Sequence, residues 1–315
     1  MGHLADLVTV ASEALHGLLA DEASTVWREA SWQFSPLPLP LPGLAWLEGA
    51  KATGYLAIGQ NGTTLAVGRL FARRSGDGPE RVEQALLDGI VRLASGRPGV
   101  ERLYGDLLAV SPGTARWLES RWGGQVRTRA LMGRTTAPLP AAGLALEPFT
   151  RADLPAAAGV LLRAHQHRPE AIPDPLLRNP AGLAGALGRA MDGAVCGRFL
   201  PEASFLVRAP RSGAPLGMIL ATWMGPDQGH VAEIAVEPAA GRHGVGSALV
   251  AGTLAALARL GCRKVNLAVD LDNLGAVRFY RRLGFAVHHR YPSLRLAMSR
   301  LRSDPAEAWI GLRTD

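Results

Sequence analysis

The sequence predicts an α/β protein built from two domains in tandem, and three observations carry that expectation. At 315 residues the chain exceeds what one hydrophobic core comfortably holds. A proline-rich break, TTAPLPAAG, falls at Thr135–Gly143. A strand, turn, helix, strand, helix order occurs twice, blurred between Thr63 and Gly124 and sharp between Val231 and Phe285. The expected organisation is residues 1–136, a linker at 137–143, residues 144–303 and a tail at 304–315.

In the first half, Leu4–Leu19 is expected to be a helix, which leaves no obvious first strand. The tail segment AWIGL, Ala308–Leu312, is the candidate to supply one. Pro36–Gly43 lies in SPLPLPLPG and is expected to run extended across the surface. Tyr55–Ile58 and Thr63–Leu70 form a hairpin around Asn61-Gly62, a dipeptide that accepts the positive φ of a tight turn. Pro79–Ser95 follows as a helix with Val82, Leu86, Ile90 and Leu93 on one face and Gly96 as its stop. Val100–Val110 is expected to be a strand and Ser111–Gly124 a second helix.

The second half repeats this order with more chemistry in it. In VAEIAVEP, Ile234 and Val236 share one face of a strand, Glu233 and Ala235 the other, and Pro238 ends it. Gly241-Arg242-His243-Gly244-Val245-Gly246 then feeds a helix whose Val250, Leu254 and Leu257 repeat at helical spacing until Gly261. Glycines let a ligand approach the backbone, the first N–H groups of a helix lack partners and its dipole favours negative charge, so such a loop suits a phosphate. It has neither the Gly-Lys-Ser/Thr of a P-loop nor dinucleotide-fold spacing. Lys264–Val269 alternates as a strand. Asn273–Phe285 follows as a capped helix with Ala276, Phe279, Tyr280 and Leu283 along one face and Gly284 as its stop.

The Val-Glu-Pro strand end, the glycine loop and Asn273-x-x-Ala276-x-x-x-Tyr280-x-x-x-Gly284-Phe285 together resemble the GNAT superfamily of acyl-CoA-dependent N-acyltransferases. The resemblance covers about residues 203–300, with the strand and helices from Leu144 onward fitting the start of the same domain. It implies two tandem GNAT-like domains, each a mixed, mainly antiparallel sheet flanked by helices, with two parallel central strands of the second splayed to admit acetyl-CoA as co-substrate. It also implies that main-chain groups of Ile234, Ala235 and Val236 pair with the pantetheine arm. Backbone N–H groups of Gly241, Arg242, His243, Gly244, Val245, Gly246 and Ser247 would bind the pyrophosphate, and Asn273 and Ala276 would help hold the coenzyme. Tyr280 falls where the family places the acid that protonates the departing thiolate. The loop departs from the family at its first position, where Gly241 replaces the usual Gln or Arg. The first half is expected to be a degenerate copy, with Leu118 opposite Tyr280 and Arg74–Pro79 replacing the glycine loop.

Acyl transfer to an amine needs a base to take the amine's proton and an acid for the leaving thiolate. Glu233, flanked by apolar residues, is the candidate base, since desolvation raises a carboxyl pKa toward the working range. The expected function is therefore transfer of an acetyl group to a primary amine of a small molecule or to a peptide N-terminus. Acetylation of a cysteine-derived amine and a non-catalytic acyl-CoA-binding role stand as alternatives. The acceptor is expected to meet the variable segment Leu162–Arg198, which carries His165, His167, Arg168, Glu170 and Asp174.

Charge and cysteine usage narrow the remaining classes. Residues 1–140 hold 14 basic and 13 acidic residues and residues 141–315 hold 20 and 14, so the net +7 sits almost entirely in the half with the glycine loop. That favours capture of a phosphate-bearing ligand. Without a lysine-rich tail or a basic-aromatic stripe, no nucleic acid is expected as a partner. Cys196 and Cys262 lack C-x-x-C spacing, so neither a disulfide framework nor a metal site is expected. With no long apolar run and no signal-like N-terminus, the expectation is a cytoplasmic protein without a membrane partner, either a monomer of two like halves or a homodimer.

Overall fold

The computed structural model describes residues 2–6, 15, 18–19, 21–22, 42–73, 78–140, 143–166, 177–193 and 197–299. Its strands are β1 (His3–Asp6), β2 (Gly43–Glu48), β3 (Lys51–Asn61), β4 (Thr64–Ala72), β5 (Arg102–Asp106), β6 (Val126–Thr135), β7 (Glu147–Pro148), β8 (Arg198–Phe199), β9 (Phe205–Arg208), β10 (Pro215–Gly225), β11 (Gln228–Val236), β12 (Lys264–Asp270) and β13 (Ala286–Ala297). Helices α1 (Pro79–Gly96), α2 (Pro112–Trp122), α3 (Leu154–Ala164), α4 (Pro180–Met191), α5 (Val245–Arg259) and α6 (Leu274–Arg282) pack against them.

All the strands join one sheet, in the order β1-β2-β3-β4-β5-β13-β6-β12-β11-β10-β9-β7, with β8 beside β10. Most neighbours are antiparallel, but β4–β5 and β11–β12 are parallel. The centre of the order is an exchange. β13, from the end of the chain, lies between β5 and β6, while β6, from the first half, lies between β13 and β12. Each half thus lends a strand to the other.

Helices cover both faces, which explains why the interior strands are apolar on both sides. On one face, Val245, Leu249, Val250, Leu254 and Leu257 of α5 and Val277 and Tyr280 of α6 pack over Ile219, Val231, Val265 and Leu267. On the other, Ala157, Leu161, Leu183 and Leu187 of α3 and α4 pack over Leu206, Met218, Leu220 and Ala235. In the first half α1 and α2 build a matching core on the same face as α5, and Leu294 and Leu296 at the end of β13, with Met298 just past it, complete it.

Several expectations need correction. Leu4 lies in β1, which pairs antiparallel with β2, so the helix expected at Leu4–Leu19 does not begin there. Four residues are too few to show alternation, and the edge position is fixed by pairing with residues about forty positions away. The tail segment Ala308–Leu312 lies outside the described residues, and β1 already occupies the first-strand position assigned to it. The turn between β3 and β4 consists of Gly62 (φ 56°) and Thr63, one position later than expected, because Asn61 still pairs with Thr64. β5 is shorter than Val100–Val110, ending at Asp106. Pro36–Leu41, Arg74–Asp77 and residues 167–176 of the acceptor segment lie outside the described residues.

Candidate active site

The site begins where two strands part. β11 and β12 pair in parallel over four rungs, from Gln228 with Lys264 to Val231 with Leu267, and no further. On its other side β11 stays paired with β10 as far as Val236, with Ala232 bulged between Val231 and Glu233. The backbone of Ala232–Val236 therefore has a free edge facing β12, the position in which an extended arm of a ligand adds as a strand.

The glycine loop closes one end of this gap. Pro238–Ala240 make a single 3-10 turn, Gly241 is extended, and Arg242 takes φ 65°, the one non-glycine residue in the left-handed region among those described. Holding a non-glycine residue there costs of order 1–3 kcal/mol and marks a conformation imposed by its surroundings. Gly244 (φ 80°) caps α5 without a side-chain bond, so the N–H groups of Val245, Gly246 and Ser247 point out of a bare helix end. Gly246 has a packing reason as well, because a Cβ there would lie 3.2 Å from the Phe279 ring. Gly241 does not need to be glycine for its φ of −60°. Arg242 and His243 are exposed beside it.

Glu233 and Tyr280 meet at the gap from opposite faces of the sheet. Glu233 shares the face of Leu220, its partner on β10, and is half-buried. Burial pushes its pKa up to about 7, opposed by the Ile234 N–H, which donates to Oε1 at 3.2 Å, and by Arg129. Tyr280 on α6 is 7% exposed, its ring held between Phe279 (5.2 Å) and Phe285 (5.7 Å). Burial, and after it the Glu233 carboxylate, raise its pKa and keep the phenol protonated. Asn273 caps α6, its Oδ1 accepting from Ala276 N–H at 3.2 Å. That sets the register presenting Tyr280.

Several polar contacts at the site were not anticipated. His230 on β11 meets Asn266 on β12 through Nδ1 and Oδ1, and burial lowers the His230 pKa. Arg129 on β6 binds Asp270 at 3.1 Å and also Asp106, linking the second half to β5. Arg163 at the end of α3 grips Glu237 through Nε at 2.8 and 3.1 Å, tying a helix on one face to the strand end that leads into the loop. Of the expected acceptor residues, His165 is the C-cap of α3, while His167, Arg168, Glu170 and Asp174 lie outside the described residues.

The first half has the same skeleton. β4 and β5 pair over four parallel rungs, from Thr64 with Arg102 to Val67 with Gly105, and a bulge at Gly68 occupies the place of the bulge at Ala232. Aligned this way, Arg69 stands where Glu233 stands, and Leu118 of α2 where Tyr280 does, each seven residues past its cap, Ser111 or Asn273. Arg69 is buried and paired with Glu22 at 3.1 Å, and Glu22 also accepts from the Tyr55 hydroxyl at 2.7 Å.

Residues 185–285 match the model of the acetyltransferase (GNAT) family. This part of the chain is a GNAT domain. A mycothiol acetyltransferase of Clavibacter michiganensis subsp. michiganensis is 31% identical over 215 residues, 65% of this chain and 64% of that protein, so the match spans a little under two thirds of the relative. A mycothiol acetyltransferase of Mycobacteroides abscessus is 47% identical over 62 residues, 20% of this chain and 21% of its own. A tandem GNAT protein from the clavulanic acid biosynthesis pathway superposes with a TM-score of 0.61 at 18% identity, covering 95% of this chain and 99% of that one. The whole chain therefore has the tandem GNAT fold, and the GNAT domain holds the gap, the loop, Glu233 and Tyr280.

Proposed function

We propose that the chain is an acetyl-CoA-dependent N-acetyltransferase acting on a primary amine. The observation that carries this is the convergence of a raised-pKa carboxyl and a protonated buried phenol on a gap between parallel strands whose far end is a bare helix N-terminus. The free edge of Ile234, Ala235 and Val236 suits the amide-bearing arm of the coenzyme, and the N–H groups from Arg242 to Ser247 suit its pyrophosphate. Acetyl-CoA supplies an activated acyl group with a thiolate leaving group. The mycothiol acetyltransferases among the similar proteins support acetyl transfer as the reaction.

Both side chains have defined tasks in direct transfer. Glu233 takes the proton of the attacking amine, itself or through a water, which a carboxyl with a pKa of about 7 does at neutral pH. Tyr280 gives its proton to the departing sulfur. The two steps help each other, because the Glu233 carboxylate is one of the groups holding the Tyr280 proton in place. Once Glu233 is protonated, that obstacle to donation is gone.

Thiol release measured with acetyl-CoA and a panel of amines tests the activity, and Tyr280→Phe tests the mechanism. The variant is expected to lose roughly 100-fold or more in kcat with little change in acetyl-CoA affinity. Turnover equal to wild type would remove Tyr280 from the reaction. Tight acetyl-CoA binding with no transfer to any amine would leave only a binding role.

A further inference from the structure

Glu233 has a charged neighbour that the first half of the chain supplies. Glu233 stands opposite Leu220 and His230 opposite Thr222, two residues along β10, so both side chains leave β11 on one face of the sheet. The register carries that face to Asn266 and Asp270 on β12, and to Arg129 on β6, which pairs with Asp270. Two strand steps separate β6 from β11, roughly 10 Å at the usual spacing. A cation from the first half thus lies one strand away from the gap.

That cation is fixed by its surroundings. Asp106 on β5 and Asp270 on β12 hold the Arg129 guanidinium from two sides, and Tyr291 on β13 stands opposite it. Arg129, Asp106 and Asp270 are 20%, 24% and 13% exposed, so salt screens their field less than it would on an open surface. Burial works against the charge of Arg129, but Asp106, Tyr291, Tyr104 and Asp270 outweigh it and hold its pKa above the usual arginine value. With Arg295 sharing Asp270 at 3.3 Å, two arginines balance two carboxylates. The member of this cluster that acts on the base is Arg129. Burial raises the Glu233 pKa and lowers that of His230, and Arg129 pulls both downward.

Few other charges surround Glu233 among the described residues. β10 beside it carries no ionisable side chain. On the shared face α3 brings Arg163, which grips Glu237, and His165 at its C-cap. Across the gap stands Asp270, already held by two arginines. From the opposite face α6 offers the protonated Tyr280 and turns Arg278, Arg281 and Arg282 to solvent, while Arg259 closes the far end of α5.

We propose that Arg129 is a positioning residue for acetyl transfer, a fixed cation lent by the first half that keeps Glu233 available as a base at neutral pH. The inference rests on the acetyltransferase reading of the gap. Filling the gap with coenzyme and acceptor strips more water from Glu233 and favours its protonated, inactive form. A cation held by the protein offsets that loss of water. The first half acts on the reaction in this way without touching the substrate.

The test is the acid limb of kcat/KM against pH, followed with one amine. Arg129→Gln is expected to move the apparent pKa of that limb upward by roughly 0.5 to 1, which lowers kcat/KM at pH 6 about three- to ninefold. Arg129→Lys is expected to keep the limb near its wild-type position. Asp106→Asn loosens the same cluster but leaves the cation, so its limb is expected not to rise. Should Arg129→Gln fail to fold, Arg129→Gln with Asp106→Asn removes both charges together while Asp270 keeps Arg295, and a rise of the same sign is expected. An unmoved limb in the glutamine variants, or an equal rise in Asp106→Asn, would overturn the proposal while leaving acetyl transfer standing. Absence of transfer to every amine sinks the transferase reading instead. The Glu233 titration is then read from melting temperature against pH, each protein compared with its Glu233→Gln counterpart. A midpoint raised by Arg129→Gln keeps the charge coupling, and an unmoved one overturns it.

Discussion

A carboxyl with a pKa near 7 carries its own pH signature, and Glu233 makes that signature measurable in two ways. As the base it must be ionised, so kcat/KM is expected to rise with pH up to an apparent pKa of about 7 and then level. Stability runs the other way. The folded pKa lies above the unfolded carboxyl value of 4.5, so the folded state binds the extra proton between those limits, and stability falls as pH rises through that window. Glu233→Gln is accordingly expected to melt above wild type at pH 8, to match it near pH 5, and to lose the pH-dependent limb of activity. Equal melting temperatures at both pH values would show that Glu233 is solvated. The placement of Glu233 on a strand and of Tyr280 on a capped helix was legible in the sequence because strand alternation and a helix cap are local signals. The His230–Asn266 contact joins residues 36 apart, and Arg129 reaches Asp270 from the other half of the chain, so no local pattern announces either.

Among the elements, α5 depends on how closely it lies on the sheet. Gly217 on β10 makes that approach possible, since a Cβ there would sit 2.8 Å from Val245 Cγ1 and 3.1 Å from the Ala235 carbonyl. Gly217→Val is expected to destabilise the fold by about 1–3 kcal/mol through overpacking. Because Val245 opens the helix whose N–H groups face the loop, acetyl-CoA affinity should fall with it, checked by calorimetry and denaturant titration on the same samples. Undiminished affinity would mean that the loop is held independently of α5. The sequence revealed α1, α2, α5 and α6 well, because Pro79, Ser111, Gly261, Asn273 and Gly284 punctuate them at their ends. It concealed β1, whose four residues owe their conformation to β2. The parallel pairings were legible only as strand-helix-strand order, and the bulges at Gly68 and Ala232 belong to cross-strand register, which one strand's sequence does not encode.

At the scale of the molecule, the exchange of β6 and β13 makes the two halves one sheet. Denaturant unfolding is expected to give a single transition, with far-ultraviolet circular dichroism and tryptophan fluorescence coincident, and residues 1–140 or 141–315 expressed alone are expected not to fold. Two separated transitions would show that each half keeps its own cooperativity. The exchange was not visible beforehand, because the proline-rich break suggests two separate bodies and nothing local says that strands cross it. The exchange also imposes an order on synthesis. A ribosome completes β5 nearly two hundred residues before it reaches the strand that will lie beside it, so a nascent first half waits with that edge exposed, a state prone to mispairing. Inheritance is constrained in the same way. A first half with Arg69 and Leu118 at the positions of Glu233 and Tyr280 carries neither of the two proposed catalytic groups, yet deleting it from the gene would remove the neighbour of β12 and open the second half at its centre.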